Sequence, residues 1–99
     1  MSDDTIREGT TMLHPVRWKI LTVLKAKGIE MYIDQIADAV NEDRRLVSFH
    51  LGTLQELGFV ESEFKVVQEP RSKGKAGRFF KLTPKFDKVR SDLVRAIKG

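Results

Sequence analysis

Apolar residues recur every three or four positions in several stretches of this chain, which is the spacing of one buried face on a helix. After Pro15, a residue favoured in the first turn of a helix, Val16, Ile20 and Leu24 follow at this spacing. The pattern predicts helices over about 4–12, 15–27, 33–40, 43–57 and 84–97. His14-Pro15 marks the start of the helix 15–27, and N-cap residues are predicted for the helices 33–40 and 84–97, namely Asp34 and Thr83.

The helix predicted over 43–57 has a clear signal at each end. Asp43 is a favourable N-cap, because its carboxylate can accept a hydrogen bond from an amide of the first turn. Gly58 suits the left-handed position that follows a helix. One face of the helix is predicted to be buried through Val47, Leu51, Leu54 and Leu57. The opposite face carries Arg45, Phe49, Gly52 and Glu56, with Arg44 and Ser48 at its edge.

After Gly58 the pattern changes from helical to extended. Residues 59–67 and 78–82 are rich in strand-forming residues, and the polar segment between them contains Pro70, Gly74 and Gly77. This order predicts a β-hairpin. Most of the aromatic residues are predicted to belong to the core: Trp18, Phe59, Phe64, Phe79 and Phe80.

Two short helices joined by a tight turn, here 33–40 and 43–57, make a helix-turn-helix, and a hairpin that follows directly is a wing. We therefore expect a mainly α fold with a small β-hairpin (α+β), a winged helix-turn-helix. Ninety-nine residues are enough for a single domain over 1–99 with its own core.

Charge is distributed unevenly along the chain. Residues 1–43 carry eight acids and five bases, a net charge of −3, whereas residues 44–99 carry thirteen bases and six acids, a net charge of +7. A basic half that begins at the second helix of the helix-turn-helix is expected for a partner that is a polyanion. A basic surface that only aids solubility is the alternative. The absence of cysteine, of a signal peptide and of a long apolar run leads us to expect a cytoplasmic protein without membrane contact.

The exposed face of the helix 43–57 and the wing together supply the candidate contacts to double-stranded DNA. Arginine can bind phosphate or the O6 and N7 atoms of guanine, and an aromatic edge can contact the methyl group of thymine. Long basic side chains on a hairpin suit phosphate and minor-groove contact. The predicted DNA-binding residues are Arg44, Arg45, Ser48, Phe49, Thr53, Arg71, Lys73, Lys75 and Arg78. Alternatively, the arginines are solvated charges and Phe49 packs against protein.

Two segments of the sequence resemble the ArsR-type winged helix-turn-helix regulators. They are residues 13–21, LHPVRWKIL, with its His-Pro-x-Arg start, and residues 47–60, VSFHLGTLQELGFV. The resemblance extends from about Leu13 to Ile97 and implies a homodimeric transcriptional regulator that pairs through its first and last helices. Metal-sensing members carry paired cysteines on the helix that here begins near Tyr32, or a set of histidine and acid ligands on the last helix. This chain has no cysteine and no histidine after His50, so we expect no metal and no cofactor.

The dimer is predicted to form through apolar residues of the terminal helices, namely Ile6, Leu13, Phe86, Val89, Leu93 and Ile97. His14 is predicted to begin a helix, and His50 to be a hydrogen-bonded scaffold residue. We find no pairing of a nucleophile with a base, no paired carboxylates and no phosphate-binding glycine loop, so an enzyme is not expected. A protein–protein interaction module in a larger assembly is the alternative function. The sequence identifies no effector ligand.

Overall fold

A computed structural model of the chain describes residues 10, 12–66 and 76–98. The helices are α1 Pro15–Lys27, α2 Ile33–Val40, α3 Arg44–Glu56 and α4 Lys85–Lys98. The strands are β1 Met31–Tyr32, β2 Val60–Val66 and β3 Ala76–Leu82. The helix predicted over 4–12 lies mostly outside the described residues, although Thr10 and Met12 are helical. The predicted α+β class is confirmed.

Helix α1 begins directly after His14, and α3 lies between Asp43 and Gly58, as the sequence predicted. His14 Nδ1 accepts a hydrogen bond from the amide of Val16 (3.2 Å), and an Asp43 carboxylate oxygen accepts one from the amide of Arg45 (2.8 Å). Gly58, just beyond α3, has a φ of 83°, a left-handed conformation in which a side chain is strained. These three predictions are confirmed.

The sheet has three antiparallel strands in the order β1-β3-β2. Met31 pairs with Phe80, and Val60 pairs with Leu82. The sequence predicted only the hairpin, because a strand of two residues is too short to show an alternating pattern. The predicted cap of α2 was wrong, since the N-cap is Tyr32 and Asp34 lies within the first turn.

The core lies between α1, α2, α3 and the inner half of the sheet. Val47, Leu51 and Leu54 are fully buried, as the apolar stripe of α3 predicted. The aromatic residues only partly follow the prediction. Phe59 and Phe80 are buried, but Trp18 is 37% exposed and Phe64 is 67% exposed.

Phe64 is exposed because of its distance from the core along β2. It shares a sheet face with Val60, and exposure along that face rises from 2% at Val60 to 67% at Phe64. The outer half of the hairpin therefore extends beyond the packed helices. The described wing strands project an apolar face into the space beside α3.

Helix α4 starts where the sequence predicted it, beside the end of α3. Thr83 Oγ1 accepts a hydrogen bond from the amide of Lys85, and the same hydroxyl donates to the carbonyl of Gly58. Phe86 and Val89 anchor the helix in the core. In the described part of the chain, no helix is both long and apolar enough to cross a membrane.

Candidate nucleic-acid interface

Four of the predicted DNA-binding residues come together at the N-terminal half of α3. The turn from Asn41 to Asp43, with Asn41 in a left-handed conformation (φ 56°), directs α2 into α3 and leaves the start of α3 on the surface. An open concavity of about 660 Å³ is formed there by the residues Ile33, Asp43, Arg44, Arg45, Ser48 and Phe49. Four of the five residues predicted on this helix therefore line one concavity, and the fifth, Thr53, does not.

Arg44 is held against the preceding helix. Its Nε atom lies 2.9 Å from Asp34 Oδ1, and both side chains remain substantially exposed, at 64% and 43%. An exposed ion pair of this kind contributes about 0–1 kcal/mol to stability. A phosphate could therefore replace the Asp34 carboxylate at small energetic cost.

Thr53 lies one turn beyond this surface. It is half-buried, and its hydroxyl donates to the carbonyl of Phe49 one turn earlier, over 3.4 Å. A threonine that bonds its own helix in this way has one donor fewer for a partner. Thr53 lies at the edge of the candidate interface.

A second concavity, which we call the wing groove, separates α3 from the hairpin. It has a volume of about 290 Å³. Arg44, Ser48 and Gly52 of α3 form one side, and Phe64 and Arg78 form the other. The Arg78 guanidinium lies over the Phe64 ring, 4.8 Å from its centroid. This cation–π contact, worth about 0.5–1 kcal/mol at an exposed site, holds the charge of Arg78 beside the wing groove.

Phe64 and Gln55 are interface candidates that the sequence reasoning missed. Gln55 lines the wing groove and accepts a hydrogen bond from the Ser62 hydroxyl over 3.0 Å. The alternation of Val60, Ser62 and Phe64 could have placed these residues on one face of β2. That alternation does not reveal that the face meets α3.

The two faces of the hairpin differ in charge. On the face away from α3, Glu61 pairs with Lys81 (3.2 Å) and Glu63 with Lys65 (2.9 Å). The hydrogen bond from Lys65 is the main reason why the pKa of Glu63 lies below its ordinary value. The face toward α3 carries Arg78 and, within the described strands, no acidic residue. A polyanion is therefore favoured on the side of the wing groove.

Phe49 and Gly52 lie one turn apart on the exposed side of α3. Phe49 is 65% exposed, and its ring meets the edge of the His50 ring at a centroid distance of 5.3 Å. A Cβ atom built on Gly52 would have no neighbour within 4 Å. The packing of the described residues therefore gives no reason for a glycine at this position.

His50 supports this surface from the buried side of α3. It is 4% exposed, and its Nδ1 atom accepts a hydrogen bond from Arg17 Nε over 3.0 Å. Burial, and then the proximity of His14 and Arg17, lower the pKa of His50 below its ordinary value. The ring is therefore neutral at pH 7, and the predicted scaffold role is confirmed. Within the described ranges, no group of histidine and acidic residues could hold a metal ion.

The remaining predicted residues divide into two groups. Arg71, Lys73, Lys75 and Ile6 lie outside the described residues. Among the predicted dimer contacts, Phe86 and Val89 are buried in the chain's own core and so are not available to a second copy. Leu93 is half-buried, whereas Leu13 and Ile97 are exposed.

Comparison with known proteins supports the fold. The chain is similar to the solution structure of a homodimeric winged helix-turn-helix DNA-binding domain from Mycobacterium bovis, described as a possible ArsR-family transcriptional regulator. The TM-score is 0.64 at 23% identity, over 97% of this chain and 79% of that one. It is also similar to the transcriptional repressor BigR from Xylella fastidiosa, with a TM-score of 0.52 at 23% identity, over 75% of this chain and 62% of that one.

No family model and no curated protein sequence matches the chain. The predicted winged helix-turn-helix fold is confirmed by the structural similarity, and the predicted resemblance to ArsR-type proteins is confirmed at the level of the fold.

Proposed function

We propose that this chain is a non-enzymatic, sequence-specific regulator of transcription that binds double-stranded DNA as a homodimer. The observation that carries the proposal is the division of α3 into two faces. One face is completely buried in the core through Val47, Leu51 and Leu54. The other face remains exposed and carries Arg45, Ser48 and Phe49. A helix anchored in this way can enter a major groove, which is about 12 Å wide.

The N-terminal half of α3 supplies the charge. Amides at a helix start and the helix dipole favour a phosphate. Arg45 is exposed and could instead bind a guanine with two hydrogen bonds, which discriminates against other bases by about 1–3 kcal/mol. Arg44 would exchange its pairing with Asp34 for a phosphate oxygen.

The wing is proposed to follow the DNA backbone or enter the minor groove. Arg78, held over Phe64, faces the wing groove, and Glu61 and Glu63 on the opposite face of the hairpin would point away from the DNA. Arg71, Lys73 and Lys75, which precede β3 in the sequence, would add phosphate contacts. Affinity should therefore depend strongly on salt.

Two copies of the chain, each forming a single domain over residues 1–99, are proposed to pair through the exposed apolar residues of the terminal segments. A two-fold dimer would place two α3 helices on half-sites about 34–36 Å apart, so its preferred DNA would be a pseudo-palindrome. The similar domain from Mycobacterium bovis is itself homodimeric. Leu13 and Ile97 are exposed and available for this contact.

Selection of bound duplexes from a random pool with the full chain tests the function. We expect a pseudo-palindromic consensus to be enriched. Arg45→Ala should weaken binding to that consensus by about 5- to 100-fold more than binding to an unrelated duplex, whereas Arg95→Ala on α4 serves as a charge-matched control and should not.

A protein–protein interaction module is the second candidate function. It is favoured by the exposure of two aromatic rings, Phe49 and Phe64, at 65% and 67%. In that case the random pool would yield no enriched sequence. The rings would then contact protein rather than DNA.

A further inference from the structure

We propose that Phe49 and Gly52 form an apolar reading site for the methyl group of one thymine in each half-site. This inference rests on the proposed function and adds to it the identity of one base. It concerns the centre of the exposed face of α3, where the side chains are not the polar ones usual in base recognition.

The Phe49 ring is exposed and contacts a buried residue on one side. It is 65% exposed, and it meets the His50 ring in a T-shaped contact at a centroid distance of 5.3 Å. His50 is buried and accepts a hydrogen bond from Arg17. Most of the aromatic surface of Phe49 is therefore accessible to a partner.

Gly52 makes the surface beside this ring shallow. The position is exposed, and an added Cβ would meet nothing within 4 Å among the described residues, so neither their packing nor a turn requires glycine there. Glycine within a helix is unfavourable relative to alanine. Because glycine has no side chain, another molecule can approach the backbone of α3 closely at this point.

Two polar groups beside this site have partners within the chain, since the Thr53 hydroxyl donates to the carbonyl of Phe49 and Arg44 pairs with Asp34. Exposed polar side chains also lie on this side of the helix, namely Arg45, Ser48 and Glu56. Between them, Phe49 and Gly52 present an aromatic ring and a bare backbone. Its chemical complement is a small apolar group at the floor of a groove.

Unmodified B-DNA has one such group in the major groove. Guanine, adenine and cytosine present hydrogen-bonding atoms there, while thymine adds its C5-methyl group to the O4 acceptor. The apolar site of α3 therefore selects thymine among the four bases. The minor groove offers no equivalent group, so the same site also fixes which groove α3 enters.

Replacing thymine with deoxyuridine removes only this methyl group and so tests the inference. In the duplex enriched from the random pool, each thymine is replaced in turn, and binding is measured for the wild type, Phe49→Ala and Ile29→Ala. Ile29→Ala is the control, because that apolar side chain is exposed to the same degree (66%) but lies between α1 and β1, outside both concavities of the candidate interface.

We expect one thymine per half-site whose replacement weakens wild-type binding roughly fourfold or more, the effect of removing one buried methyl group. Phe49→Ala should bind the thymine and deoxyuridine duplexes equally, while Ile29→Ala should still distinguish them. A consensus without a methyl-dependent position, or discrimination that persists in Phe49→Ala, overturns the inference and leaves the proposed function intact. Absence of any enriched consensus overturns both.

Discussion

Arg17 Nε donates a hydrogen bond to His50 Nδ1 over 3.0 Å and so links α1 to the buried side of α3. The next residue toward the start of α3 is Phe49, which contacts the same histidine ring from outside. One imidazole therefore joins the core to the proposed reading surface. Its protonation state should affect both.

The first prediction concerns the pH dependence of stability. Burial, with smaller effects of His14 and Arg17, makes the pKa of His50 lower in the folded chain than in the unfolded chain, where it is about 6.5. At pH values near and below 6.5, the unfolded chain therefore binds more protons than the folded chain. The contribution of His50 to the free energy of unfolding, measured with urea, should be constant above about pH 7 and should fall as the pH decreases from about 6.5 toward the folded pKa.

His50→Gln provides the control for this experiment. The glutamine oxygen can still accept a hydrogen bond from Arg17, but the side chain does not titrate. The variant should show a shallower loss of unfolding free energy between pH 7 and pH 5 than the wild type. Equal slopes for the two proteins would assign the pH dependence to other groups.

The second prediction contrasts two exposed glycines. Gly52→Ala should raise the free energy of unfolding by about 0.5–1 kcal/mol, because the position is helical and the new methyl group meets no atom. Gly28→Ala should lower it by roughly 1–2 kcal/mol, because Gly28 ends α1 with a φ of 67°. Urea unfolding of both variants measures these changes. Destabilisation by Gly52→Ala would show that the folded protein itself requires glycine there.

The boundaries and buried face of α3 could be predicted from the sequence because they depend on local rules. Asp43 caps the helix through an amide two residues away, and Gly58 is needed for a backbone conformation at its own position. Strand β1 depends instead on pairing with β3, far along the chain. Its two residues are too few to show an alternating pattern that would predict this pairing.

In the candidate interface, too, the features set within one helix could be predicted, whereas the contacts between elements could not. Arg45, Ser48 and Phe49 share a helix face, so helical periodicity was enough to group them. The pairing of Arg44 with Asp34 and the stacking of Arg78 on Phe64 join different elements. Phe64 is an aromatic residue of the kind expected in a core. It is exposed because the helices do not extend far enough along the sheet to cover it.

The third prediction follows from the ion pair between Asp34 and Arg44. Asp34→Asn should strengthen duplex binding by about two- to fivefold at low salt, because it removes a carboxylate that competes with phosphate for Arg44. The dependence of affinity on salt concentration should also become steeper. Asp92→Asn on α4 makes the same charge change elsewhere. Equal effects of the two variants would mean that only net charge matters.

The last prediction concerns the dimer and the end of α4. Ile97 is 82% exposed, and Val94 beside it is also exposed, so the final turns of α4 present apolar surface that a second copy could cover. Light scattering at micromolar concentration should give a mass near twice 11.3 kDa for the wild type and near 11.3 kDa for Ile97→Asp. Phe64→Asp, an equivalent change on the exposed hairpin, should remain dimeric. A monomeric wild type, or a dimeric Ile97→Asp with an unchanged circular dichroism spectrum, would contradict dimerisation through this end of α4.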